Sequence, residues 1–395
     1  MTTPITAPES TATLKSTPFA IFVELDGDGA HPAAWRSAAH PPTELLTGGR
    51  IATTVRAAER AGFTAATFED SPLPPGSSAA GERGIIGRIE AVQRAAFAAP
   101  LTSSIGLVAV AHAVYSEPFH LSTQLATLDH VSAGRAGWLV GIDADAAIAA
   151  EYGRAAVSAD SALADAADAV EVSRRLWDSW EDDAVIRERA TGRYFDRERV
   201  HYADFEGESF SIIGPAIVPR PPQGQVVIFA GGPDAARVGA DVALLTSIDQ
   251  AADIRAAGVP RALLELEVVL DAAGVTAAER LAALDGHEPW APSQRNRFVG
   301  TSRDLVAVLE ELAGRSDGDE RVDGVRLIPA VLDIDLDEIG RAVLPELRRL
   351  GLFHSPTAGQ SLRESLGLAR PANRYTLPDQ TDRAAQAARL EGALA

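Results

Sequence analysis

The chain has 395 residues, 46% of them hydrophobic, and its formal net charge at pH 7 is −19. This length allows one large domain or two ordinary ones. The acidic balance argues against nucleic acid and anionic membrane surfaces as partners. The sequence contains no cysteine, which excludes disulfides, thiolate metal sites and cysteine nucleophiles.

The first residues, 1–17, are polar and rich in Thr and Pro, a composition that predicts a disordered arm. They lack the apolar core of a signal peptide. No apolar run in the chain approaches the roughly 20 residues of a membrane span. We therefore expect a cytoplasmic protein that does not enter the membrane.

Short apolar runs alternate with helical patterns along most of the chain. Eight runs predict strands, at residues 19–25, 63–68, 105–110, 136–140, 226–229, 242–245, 263–270 and 324–328. This alternation predicts an α/β fold, a (β/α)8 TIM barrel over residues 18–353. A doubly wound open sheet is the alternative, but no Gly-x-Gly-x-x-Gly follows the first strand.

The stretch from Ile105 to Val140 is the clearest βαβ unit. An apolar strand is followed by a helix that begins at Pro118 and stops at Gly134, and a second apolar strand follows directly. Tight connections of this kind require a parallel sheet covered by helices.

Two regions interrupt the regular pattern. Residues 181–225 combine charges, aromatic residues and Gly-Pro pairs, which predicts an irregular excursion with a hairpin near residues 210–213. Residues 354–395 form a C-terminal tail that we expect to wrap the outside of the barrel.

In a TIM barrel the active site lies at the carboxyl ends of the strands. The residues predicted there are Asp26, Asp70, His112, Gly141, Gly231, Gly232, Thr246 and Pro329. His112 directly follows the third strand and is suited to act as an acid or base near neutral pH. The alternative is a histidine whose ring is satisfied by a loop carbonyl.

Two further groups suggest ligand contacts. Gly231 and Gly232 follow the fifth strand and either bring backbone N–H groups to a phosphate or form a tight turn. His31 and Trp35 share the first loop. Either His31 is a proton donor and Trp35 a wall over a flat ligand, or the loop only packs Trp35 on the barrel rim. We expect no metal site, because the acidic residues lack the spacing of a calcium loop.

Several runs together resemble the signature of bacterial luciferase-like flavin monooxygenases, in the branch of the nitrilotriacetate and dibenzothiophene-sulfone monooxygenases. They include EPFH at 117–120, ATLDHVS at 126–132, GRAGW at 134–138, RLWDSW at 175–180, PRPPQG at 219–224 and RPANRY at 370–375. The runs follow one another in order over nearly the whole chain.

The resemblance implies a two-component enzyme that takes reduced FMN from a separate flavin reductase and oxidises a small organic substrate with O2. A homodimer is implied as well. From their places after the strands, we expect His31 and His112 to be the catalytic residues. We expect Asp70, His112, Trp138, Gly231 and Gly232 to contact the cofactor, and Trp35, Phe68 and Tyr115 to line the substrate or flavin.

The chain departs from these relatives where they contact the cofactor. Leu139 replaces an Asn, Ala159 and Leu163 replace a His and a Tyr, and Gly232 replaces a Ser. His112 stands where relatives have a small hydroxyl residue and is the expected replacement donor. A deazaflavin-dependent oxidoreductase and a non-catalytic homologue or partner subunit that has lost flavin binding are the alternatives.

Overall fold

The computed structural model describes residues 19–73, 87–315 and 320–376. Eight parallel strands form its centre. They are β1 Ala20–Glu24, β2 Ala65–Phe68, β3 Gly106–His112, β4 Ala136–Gly141, β5 Val227–Gly231, β6 Val242–Leu245, β7 Arg261–Leu270 and β8 Gly324–Pro329. Each of the eight predicted strands is present, within a few residues at its ends.

The sheet closes on itself and confirms the predicted TIM barrel. Strands β1 to β8 pair in chain order, with β5 following β4 across the excursion. Closure comes from the pairing of β8 with β1, in which Gly324 lies opposite Ala20. A further parallel strand, Asn296–Gly300, adds to β7 outside the barrel and was not predicted.

Helices surround the barrel. They are α1 Gly48–Ala61, α2 Ala91–Ala98, α3 Pro118–Val131, α4 Ala146–Glu151, α5 Ala159–Asp178, α6 Asp234–Arg237, α7 Ala251–Ala256, α8 Ala277–Asp285, α9 Ser302–Gly314, α10 Leu332–Glu338, α11 Leu344–Arg349 and α12 Leu362–Ser365. A π-helical turn, Ile339–Val343, joins α10 to α11. None of the helices in the described ranges is long and apolar enough to cross a membrane.

The GRAGW run is held by buried polar groups. Asp129, with no exposed surface, accepts hydrogen bonds from the amides of Gln223 and Ala136. The Arg135 guanidinium donates to the carbonyls of Ile105 and Ala99. Since buried polar groups are stable only when they are paired, we infer that these residues fix the α3–β4 turn.

The interior of the barrel is apolar at its amino-terminal end. Phe22, Val108, Phe229 and Leu263 are among the side chains that fill it. Leu362, from α12 in the tail, packs into the same cluster and closes this end. The described part of the tail therefore seals the barrel rather than only wrapping its outside.

The excursion consists of two small hairpins. Val185–Glu188 pairs with Arg193–Phe195, and Phe205–Glu206 pairs with Ser211–Ile212, which confirms the predicted hairpin. The predicted arm at 1–17 and the last part of the tail, residues 377–395, lie outside the described residues.

Candidate active site

A cavity of about 670 Å³ opens at the carboxyl ends of β2 and β3, beside the start of α3. Cavities of this size are typical of small-molecule sites. Its walls include Asp70, Ser71, Leu73, Arg88, Glu90, His112, Glu117, His120, Gln124 and Tyr152. Two of the predicted site residues, Asp70 and His112, are thus brought together in one cavity.

His112 is held by a carboxylate that the sequence analysis did not identify. Its Nδ1 lies 2.5 Å from Oδ2 of Asp143, and both side chains are largely buried. A carboxylate accepts the hydrogen bond, so Nδ1 carries the proton and Nε2 of the neutral ring is left as an acceptor. Nε2 is buried and has no partner among the described residues, which leaves it available for a ligand.

The missing side chain of Gly141 makes room for this histidine. A Cβ at position 141 would lie 2.5 Å from Nδ1 of His112 and 3.0 Å from Cε1. The two residues are register partners in the β3–β4 ladder. Glycine is therefore required at 141 for the imidazole to reach Asp143.

An aromatic pair forms another wall of the cavity. Tyr152 lines it and stacks on Tyr115 with ring centroids 5.3 Å apart. Burial, together with the nearby Asp143 and Asp70 carboxylates, raises the pKa of the Tyr152 phenol. Tyr115, predicted as a substrate contact, instead stands behind Tyr152, and its buried hydroxyl has no partner among the described residues.

Three carboxylates in the wall each accept hydrogen bonds from a helix start. Asp70 accepts from the amide of Ala91, Glu90 accepts from that of Gln93, and Glu117 accepts from those of Phe119 and His120. Helix starts carry partial positive charge, so the negative charge of these groups is partly compensated inside the wall.

Besides the His112–Asp143 pair, a second group of polar side chains lies in the barrel interior near the carboxyl ends of the strands. The Arg326 guanidinium, 1% exposed, contacts the carboxylates of Glu24, Glu69 and Glu265. Its Nε also donates to the hydroxyl of Thr67, at 3.0 Å. We call these five residues the Arg326 cluster.

The Arg326 cluster holds more carboxylates than its guanidinium can neutralise. Burial raises the pKa of Glu24 to about 8, although the Arg326 charge opposes this shift. Burial also acts to raise the pKa of Glu265, but the Arg326 and Arg295 charges bring it below its usual value. Glu24 is therefore the carboxyl that most readily keeps a proton.

His31 does not reach the cavity, contrary to the prediction of a catalytic role. Its Nδ1 accepts from the amide of Ala33, and its Nε2 contacts Oδ1 of Asp285 at 3.1 Å. Burial lowers its pKa. Because both ring nitrogens are engaged, His31 joins the first loop to the end of α8.

Trp138 and Phe68 do not line the 670 Å³ cavity either. Both belong to the core between the strands and the helices, and Nε1 of Trp138 donates to the carbonyl of Ala111. Phe68 lines a smaller pocket of about 220 Å³ beside Asp26. Side chains alternate along a strand, and the inward position next to Trp138 is Leu139. The expectation that Trp138 is a flavin wall in the barrel mouth is therefore wrong.

The remaining predicted residues lie in loops at the barrel end. Trp35 is half-buried, with the Arg36 guanidinium 4.5 Å from its ring, and it does not line the 670 Å³ cavity. Gly232 has φ +38°, and its amide donates to the carbonyl of Leu244. This is the tight strand-to-helix turn that was the alternative for Gly231 and Gly232.

The positions at which the resemblance implies polar cofactor contacts present hydrocarbon. Leu139 faces the barrel interior, Leu163 is buried in the helical core, and Ala159 begins α5 at the surface. None of the described residues forms a group of three or more histidine or acidic side chains suited to a metal ion. Any polar anchor for a ligand therefore has to come from the cavity walls.

The comparisons with known proteins agree with this architecture. The family model of the luciferase-like monooxygenases matches residues 30–260. The N-acetyl-S-(2-succino)cysteine monooxygenase of Bacillus subtilis (strain 168) is 28% identical over 92% of this chain and 99% of its own length. One of the pristinamycin IIA synthase subunits of Streptomyces pristinaespiralis is 33% identical over 83% of this chain and 92% of its own length.

Solved structures show the same fold. The crystal structure of a long-chain alkane monooxygenase superposes with a TM-score of 0.77 at 20% identity, covering 94% of this chain and 100% of that one. The family model covers more than half of the chain, and the Streptomyces relative exceeds 30% identity over most of it. The chain therefore belongs to the luciferase-like monooxygenase family and is a flavin-dependent monooxygenase.

Proposed function

We propose that the chain is the oxygenase component of an FMN-dependent two-component system, which oxidises a small organic substrate with O2. A separate reductase supplies the reduced FMN, and the active unit is a homodimer. One observation carries this proposal above the others. His112 lines the 670 Å³ cavity, Asp143 holds its Nδ1, and its buried Nε2 has no partner among the described residues.

The cavity residues fit a flavin in size and in donor chemistry. The volume accommodates a three-ring system with its side chain. Arg88 in the wall contacts Asp26, which also binds Arg94, so two guanidinium groups share one carboxylate. Arg88 is thus the group best placed to hold a phosphate, with His120 beside it in the wall.

Bound reduced flavin supplies the electrons that activate O2, and the protein positions the partners and excludes water. His112 accepts a proton at Nε2, and Asp143 keeps the ring in the tautomer that leaves this atom free. Tyr152 gives the ligand an aromatic surface. The three carboxylates that contact helix starts keep α2 and α3 fixed around the cavity.

The test is anaerobic titration of the purified protein with reduced FMN, followed by absorbance, with oxidised FMN in parallel. We expect saturable binding of reduced FMN and about tenfold weaker binding by His112→Ala, as expected for loss of one hydrogen bond to the ligand. The matched control is His354→Ala, since His354 is exposed and does not line the cavity.

Absence of binding by the unaltered protein at hundreds of micromolar FMN would contradict the proposal. If the His112→Ala and His354→Ala variants bind FMN with equal affinity, the protein still uses flavin but His112 does not contribute to binding it. Asp143→Asn separates the two residues further, because it keeps the shape and should alter the pH profile of flavin oxidation rather than the affinity.

A further inference from the structure

The excursion between α5 and β5 exposes large apolar side chains. Ile213 and Ile217 are 68% and 70% exposed, and Phe195 is 39% exposed. Single apolar residues on a surface are ordinary, but several together mark a place where another chain segment packs. Three such residues within one connection call for an account of what covers them.

The indole of Trp180 joins two of these side chains. Its ring centroid lies 5.4 Å from that of Phe195, and its Nε1 donates to the carbonyl of Ala216 at 2.8 Å. Ile217 follows Ala216 directly in the chain. Phe195 and Ile217 therefore both lie beside the same indole.

Ile213 belongs to the same segment as Ile217, four residues before it. Ile212 packs against the buried cluster that contains Ala203 and Phe205, whereas the next residue, Ile213, is exposed. Successive side chains of a strand point to opposite faces, so Ile213 faces away from that cluster. We call Trp180, Phe195, Ile213 and Ile217 the excursion patch.

The described part of the C-terminal tail ends beside this patch. The side-chain amide of Asn373 donates to the carbonyl of Trp180 at 3.0 Å. The Tyr375 ring stacks on His201 with ring centroids 4.6 Å apart, and its hydroxyl donates to the carbonyl of Tyr202 at 2.9 Å. The residues that follow in the chain therefore start next to the excursion patch.

The segment that follows this anchor is residues 377–395, which lie outside the described residues. Six of these residues are alanine and three are leucine. Ala387, Leu390 and Leu394 recur at i, i+3 and i+7, a spacing that predicts a helix with one apolar face. A helix of 16 residues is about 24 Å long, which is enough to cross the patch from the anchor.

We propose that residues 377–395 pack on the excursion patch of their own chain. The anchor at Tyr375 makes this an intramolecular event, so only a short loop has to close. A second copy of the chain is the other candidate occupant. Stable interfaces between proteins use about 20–30 residues a side, whereas the patch consists of four side chains, so a partner without a tether would gain little from it.

The proposed contact is separate from the candidate active site. None of the four patch residues lines the 670 Å³ cavity. The excursion leads from α5 into the amino end of β5, whereas that cavity opens at the carboxyl ends of β2 and β3. The packed segment would therefore stabilise the excursion without touching the ligand.

Disulfide trapping tests the proposal directly, because the sequence contains no cysteine. Ile217→Cys and Leu390→Cys are introduced together in the full chain, oxidised with glutathione disulfide and followed by non-reducing electrophoresis and peptide mass spectrometry. We expect an intrachain disulfide that forms about tenfold faster than in the control pair Val275→Cys/Leu390→Cys. Val275 is 44% exposed and lies in the turn after β7, at the carboxyl end of the barrel.

Thiol accessibility provides a second measurement. In the full chain, the single variant Ile217→Cys should react slowly with a water-soluble maleimide. Adding Leu390→Asp and Leu394→Asp should raise that rate about tenfold, because charged side chains do not stay in apolar contact. The control Val275→Cys should react equally fast with and without the two aspartates.

Intrachain trapping no faster than in the control pair overturns the proposal. A predominance of interchain disulfide also overturns it, since the patch would then be covered by the segment of a second copy. An unchanged maleimide rate at position 217 on adding the two aspartates is equally contrary to it. None of these measurements involves flavin, so their outcome is independent of the proposed function.

Discussion

The two ends of the barrel interior differ in what they bury: one is filled with apolar side chains and the other with polar groups. At the amino end Phe22, Val108 and Phe229 fill the space with hydrocarbon, and Leu362 closes it. At the carboxyl end a guanidinium is surrounded by three carboxylates, and a histidine nitrogen is left without a partner among the described residues. The filled end contributes stability, and the polar end keeps groups available for chemistry at a cost in stability.

Removing Arg326 should have the largest effect. Arg326→Met leaves Glu69 without its counter-charge among the described residues, leaves Glu265 with Arg295 alone and removes a hydrogen-bond donor from Glu24. We therefore expect a loss of about 3–5 kcal/mol in the free energy of unfolding near neutral pH. Urea denaturation measures it. Arg237, which is paired with Asp160 at the surface, provides the control Arg237→Met, which should stay within about 0.5 kcal/mol because both side chains are exposed. A loss below about 1 kcal/mol for Arg326→Met would show that Arg326 does not stabilise these carboxylates.

Removing the Leu362 side chain from the apolar amino end should lower the free energy of unfolding by less and should leave flavin binding unchanged. Leu362→Ala removes a side chain that is 1% exposed, and we expect a loss of roughly 3 kcal/mol in the free energy of unfolding. Flavin affinity below the melting temperature should be unchanged. Leu46→Ala, at a residue that is 45% exposed, is the control. A change in flavin affinity would mean that the two ends are coupled.

Filling the space beside His112 should affect activity more than stability. Gly141→Ala places a Cβ within 2.5 Å of Nδ1, so the ring must leave Asp143. We expect a fall of about 10- to 100-fold in the rate of flavin oxidation by O2, measured by stopped-flow absorbance. Gly314→Ala, where a Cβ meets nothing within 4 Å, is the control. An unchanged rate of flavin oxidation would show that the His112–Asp143 pair does not take part in the reaction.

The smallest effect concerns the proton on Glu24. Its pKa of about 8 in the folded protein lies above the ordinary value of 4.5, so this group stabilises the fold at low pH and that contribution is lost as the pH rises from 4.5 to 8. Glu24→Gln imitates the protonated form. We expect the variant to gain stability relative to the unaltered protein as the pH rises from 5 to 8, as measured by urea denaturation. Exposed Glu310→Gln should show no such trend, and a flat difference for Glu24→Gln would contradict the shift.

The sequence predicted the barrel well because its strands are local features. Each of the eight barrel strands contains a short apolar run, and these runs appear whatever the rest of the chain does. A continuous apolar run shows no alternation between the two sides of a strand. The sequence therefore could not show whether Trp138 points to the helices or to the barrel interior. The strand positions alone were therefore enough for the fold but assigned Trp138 to the wrong layer.

The candidate site was predicted only in part. His112 is the last residue of β3 and Asp70 lies two residues beyond β2, close to the predicted strand ends, which is why they were recognised. Asp143 lies three residues beyond the predicted strand end at Val140, and extending each strand end by three residues would have found it. Arg326 pairs with residues some 60 to 300 positions away in sequence, and no local pattern announces such a cluster.

The seal at the amino end of the barrel has a consequence for synthesis. Residue 20 pairs with residue 324, and the interior is closed by Leu362. Chains emerge at roughly 5–20 residues per second, so the first strand waits on the order of tens of seconds for its last neighbour. During that time its apolar surface and unpaired edge are open to other nascent chains. Truncation before α12 would keep the β8–β1 pairing but would leave the amino end of the interior without the Leu362 side chain that closes it.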